Sequence, residues 1–224
     1  MGFNFQSAHY TEVFGPEHGE PIAAALRKRF GPDVLLGKPN NAFCMRDEMG
    51  WSWWSRLRAA AAESLGEAAT RQFHAVDAWQ GVYVDAPVDR ELLWPGGKPV
   101  APQIATTGKP SFIDRLRKLF GLAPKGDADS EMRRALEQAM KANGPREGER
   151  GALQVGSLPK LMAEAEAMLR HLNVQPTTAG VEAMLAPYAA DDRCDDDPHI
   201  QCLGHLWLTG THAMQNRQPL WLVK

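Results

Sequence analysis

Ten potential metal ligands crowd a short stretch near the C-terminus: Asp191, Asp192, Cys194, Asp195, Asp196, Asp197, His199, Cys202, His205 and His212. Zinc is held by thiolates and imidazoles, normally four in a tetrahedron. Cys194, His199, Cys202 and His205 supply four such groups, and His212 follows them. Their spacing, Cys-x4-His-x2-Cys-x2-His, matches no common zinc motif. The apolar run Leu203–Leu208 reads as a strand, on which Cys202 and His205 project to opposite faces. One site containing both then needs a bend in the chain. The competing interpretation is a solvated acidic loop entering a strand, because carboxylate-rich loops are usually surface. The expectation is therefore no resident cofactor. Zinc or another divalent metal on Cys194, His199, Cys202, His205 and His212 is the alternative.

His74 and Asp77 lie three apart on a stretch that reads as helical, and so face the same side. A carboxylate beside an imidazole raises its basicity, which is half of a general-base arrangement. With no nucleophile visible, a surface helix pair worth a few tenths of a kcal/mol is the simpler account. Phosphate-loop, dinucleotide, HExxH, CxxC and G-x-S-x-G signatures are all missing. Gly96-Gly97-Lys98 and Gly108-Lys109 are each followed by proline, which offers neither a hydroxyl for magnesium nor an N–H for phosphate.

Two groups of residues suit recognition better than catalysis. Trp51 and Trp53 fall off the apolar stripe of the helix that begins at Ser52. They line a pocket, meet the sheet, or form an exposed recognition patch. Arg115, Arg117 and Lys118 make one basic face of a short helix, Ser111–Phe120, whose other side carries Phe112, Leu116, Leu119 and Phe120. Core packing, a protein partner and an anionic membrane are the three uses of such a helix, in that order. Charge is segregated as well. Residues 109–150 hold ten Lys or Arg against seven Asp or Glu, and residues 182–199 hold six acids and one Arg. Such polarity can steer a charged partner.

Composition bounds the rest. Apolar residues make up 44% and charged residues 23%, an ordinary globular balance that can offset the entropy of ordering the chain. A net charge of −2 gives no electrostatic case for nucleic acid. Three cysteines are too few for a disulfide scaffold. No signal-like N-terminus stands out, and no apolar run approaches the roughly 20 residues that cross a bilayer. A cytoplasmic location is expected.

The elements that must position these residues are mixed. Helices are expected from Pro21 to Gly31, Ser52 to Gly66, Glu67 to Ala78, Ser111 to Phe120, around Met132–Met140, from Ser157 to Leu172 and over Val181–Leu185. Strands are expected at Asp33–Gly37, Ala42–Arg46, Trp79–Val84, Leu203–Leu208 and Pro219–Val223. A loop or hairpin connection spans Thr209–Gln218, and Arg146–Gly156 reads as an exposed loop. The pattern implies a single α+β domain over residues 1–224. Its mostly antiparallel sheet joins N- and C-terminal strands, and residues 95–175 form a helical excursion preceded by a Pro/Gly-rich loop. The functional expectation is an intracellular binding or regulatory protein, of the inhibitor or antidote kind, that meets a protein partner without nucleic acid or membrane. A metal-assisted hydrolase using the C-terminal His/Cys/Asp cluster is the alternative.

Overall fold

A computed structural model describes residues 2–34, 36–37, 45–50, 52–76, 80–93, 152–189 and 197–223. In chain order the elements are β1 (Gly2–Ser7), α1 (Tyr10–Phe30), β2 (Met45–Gly50), α2 (Trp53–Leu65), β3 (Gln80–Val84), β4 (Glu91–Leu93), β5 (Leu153–Ser157), α3 (Leu158–His171), α4 (Thr178–Ala189), α5 (Pro198–Gln215) and β6 (Leu220–Val223). The fold is α+β, with the strands joined in one six-stranded sheet of order β2-β1-β6-β3-β5-β4.

Both ends of the chain lie in that sheet, as the sequence implies. β6 pairs antiparallel with β1 on one side and with β3 on the other. The sheet is mixed, because β3 and β5 run parallel while the remaining pairs are antiparallel. It follows that β1, β3 and β5 point the same way and end at one edge of the sheet.

Alternation along the strands divides the core in two. Phe3, Phe5, Tyr83, Leu220 and Leu222 face a layer built from α2, α3, α4 and α5. Val82, Val84, Leu153, Val155 and Trp221 face the other way and pack with Ile22, Ala23 and Leu26 of α1. α1 bends at Gly15, whose φ of 74° lies outside helical space, just before Pro16. The helix expected to start at Pro21 therefore begins eleven residues earlier, at Tyr10, and Pro21 sits inside it.

Helix α5 holds the largest departure from expectation. Leu203–Leu208 is helical and Thr209–Gln215 continues the same helix, where a strand and a loop were expected. α5 lies between α2, α3 and α4 and also touches β1 and β2. Ten of its residues are buried, from Pro198 to Ala213, so it lacks the polar face that marks a surface helix. Gly204 lets Leu185 of α4 approach, since a Cβ there would lie 2.8 Å from the leucine Cδ2.

Smaller corrections have local causes. Gly31–Val34 forms a turn instead of opening a strand. The next strand is Met45–Gly50, shifted from Ala42–Arg46, of which residues 42–44 lie outside the described residues. After a single 3-10 turn at Glu67–Ala69 the chain runs in irregular turns to Val76, not in a helix. Hydrogen bonds to distant elements hold it there, as described below. Ser52 and Ser157 precede helices, but neither side chain makes a capping hydrogen bond. Within the expected excursion, β5 is a sheet strand between β3 and β4 where a loop was expected, and α3 packs on the sheet. The Pro/Gly-rich loop and the helices expected around 111–120 and 132–140 lie outside the described residues.

Candidate functional site

The proposed metal ligands are strung along α5. His199 is at its second position and half-buried, Cys202 is fully buried, and His205 and His212 are half-buried. Cys202 and His205 share a helix side instead of opposing strand faces. Burial nevertheless pushes the Cys202 thiol well up, among core side chains. At 1.5 Å per residue, His199 and His212 are separated by roughly 20 Å along the axis. Among the described residues no group of three His, Cys, Asp or Glu is placed to hold a metal ion. Cys194 and the acidic stretch Asp191–Asp196 lie outside them.

The other candidates divide similarly. His74 sits in the irregular turns, where its Nδ1 accepts a hydrogen bond from Arg58 Nε at 3.2 Å, and Asp77 lies outside the described residues. Trp53 is half-buried with its indole laid over Gly50, where even a Cβ would collide. It packs against the core and is not an open patch. Trp51, Arg115, Arg117 and Lys118 lie outside the described residues.

A polar cluster that no local motif announces lies at the carboxyl end of β1. The Ser7 hydroxyl is 2.9 Å from Gln218 Oε1, and His212 Nδ1 is 2.9 Å from Ser7 Oγ. Ser7 and Gln218 are buried, and burial lowers the His212 pKa. Three elements position the trio: Ser7 ends β1, His212 is in the last turn of α5, and Gln218 sits just before β6. Beyond Ser7 the chain turns at once into α1. There the His9 ring caps Thr11 N–H, and Glu12 reaches back to His9 N–H at 3.0 Å. His9 is likewise held below the usual imidazole range, by burial against the opposing pull of Glu12.

A second buried cluster is built around Gln72. Its Oε1 accepts Ser157 N–H at 2.8 Å, and its Nε2 donates to Val88 O at 3.1 Å and Asp89 O at 2.9 Å. Its backbone carbonyl accepts the Tyr83 hydroxyl at 2.6 Å. Every polar group of Gln72 is engaged, which fixes the irregular chain before β3 against α3 and β5. Over the described residues 67–76 these bonds outweigh the helical propensity, and the cluster is structural.

Helix α4 is unusual in what it shows to solvent. Glu182 is its single charged residue, and Val181 alone is fully buried. Ala179, Ala183, Ala186, Pro187 and Ala189 are exposed, while Met184, Leu185 and Tyr188 are half-buried. Thr177 caps its start by accepting Gly180 N–H at 3.2 Å. The Tyr188 hydroxyl ties its end to Asp197 at 3.2 Å.

No protein-family model, curated protein or solved structure matches this chain.

Two surfaces of different character thus remain. The Ser7 cluster offers a hydroxyl, an imidazole and an amide in contact, with Ser7 and Gln218 buried and His212 half-buried. The α4 face offers apolar area with almost no charge. No described helix is long and apolar enough to cross a membrane.

Proposed function

We propose that this chain is an intracellular binding or regulatory protein, of the inhibitor or antidote kind, and that the outer face of α4 covers a protein partner. The observation that carries this reading is the mismatch between α4's composition and its position. A helix at a protein surface ordinarily carries charged residues outward, and one that is apolar all round is ordinarily buried. α4 has one charge in twelve residues and exposes a run of alanines and a proline. Small exposed side chains let another backbone come close, and apolar area of this kind is what partner surfaces supply. The weak net charge of −2 and the near-neutral face favour a protein partner over nucleic acid or an anionic membrane.

The test compares the tagged wild-type chain with an Ala183→Arg, Ala186→Arg variant, each captured under native conditions from its own cells. The expected result is one protein retained at equal stoichiometry by the wild type and lost by the variant, with unchanged melting temperatures. Equal retention by both chains, or no stoichiometric protein with either, refutes the reading.

A further inference from the structure

We draw no further inference here: the strongest candidate, the exposed alanine stripe of α4 (Ala179, Ala183 and Ala186) beside the exposed carboxylates of Glu182 and Asp197, belongs to the surface already described, and nothing in the structure shows the chemistry of what covers it.

Discussion

Glu164 accepts the backbone N–H of Gln72 with both carboxylate oxygens, each at 2.9 Å, and takes the Phe73 N–H at 3.1 Å as well. A side chain of α3 thereby caps the irregular chain that leads into β3. Removing it by Glu164→Ala strands two backbone donors and is expected to cost about 1–2 kcal/mol, read from urea denaturation.

The same carboxylate sets a pH dependence. Desolvation raises the Glu164 pKa, against the smaller opposing effect of the Gln72 and Phe73 hydrogen bonds and Lys160. The folded state therefore holds this proton more tightly than the unfolded chain does. The associated stability is fully present below the unfolded value, about 4.5, and is lost as pH rises through the folded one. In Glu164→Gln that decline disappears from the stability-against-pH curve. A curve of unchanged slope would show that this group does not titrate differently on folding.

His212 acts with the opposite sign. Burial lowers its pKa, so the unfolded chain takes up the proton first, near 6.5. The stability it contributes is present above that value and is lost as pH falls through the folded one. His9 behaves in the same direction. Between about pH 4.5 and 6.5 the Glu164 and histidine effects oppose each other, and the wild-type curve is flatter than either alone. Melting temperatures from about pH 4 to about pH 8 check this: His212→Gln removes part of the acid loss, and Glu164→Gln makes the remaining acid loss steeper.

What was legible in the sequence follows the same physics. Helix α3 was plain because Leu158, Leu161, Met162, Ala165, Met168 and Leu169 fall on one buried side, with polar residues opposite. β3 and β6 were plain from their β-branched and aromatic residues. α5 was misread because burial on every side removes the contrast that periodicity detects. Its core run of leucines and a tryptophan then resembles a buried strand. β2, with the sequence MRDEMG, has no strand-like composition and owes its form to pairing with β1. The Ser7–His212 contact joins residues 205 apart in sequence, and no local spacing encodes such a pair. The apolar composition of α4 could have been read, but its exposure could not.

Three buried tryptophans differ in how their indole N–H is satisfied. Trp54 donates to Val76 O at 3.0 Å and Trp221 to Ala8 O at 2.8 Å. Trp207 Nε1 is buried without a hydrogen-bond partner among the described residues. Substitution by phenylalanine removes the same volume at each position. At Trp54 and Trp221 it also leaves a buried carbonyl without its donor, while at Trp207 it removes an unsatisfied group. Trp207→Phe should therefore be the mildest of the three, by about 1–3 kcal/mol in unfolding free energy. Equal losses in all three variants would contradict this account.

Arg217 occupies a backbone conformation that suits glycine. At the end of α5 the Gln218 N–H returns to Ala213 O at 2.8 Å and the Arg217 N–H to Met214 O at 3.2 Å. This closing motif needs a left-handed residue between helix and strand, and Arg217 supplies it at φ 56°. A left-handed residue with a Cβ is strained, and glycine removes that strain at some cost in unfolded-state entropy. Arg217→Gly is expected to stabilise the protein by about 0.5–1 kcal/mol. Asn173 closes α3 in the same way at φ 59°, with Val174 N–H on Leu169 O. Asparagine tolerates this conformation better, so Asn173→Gly should gain less. Urea midpoints of the two variants decide the order. No gain at position 217 would mean that the arginine side chain offsets its own backbone strain.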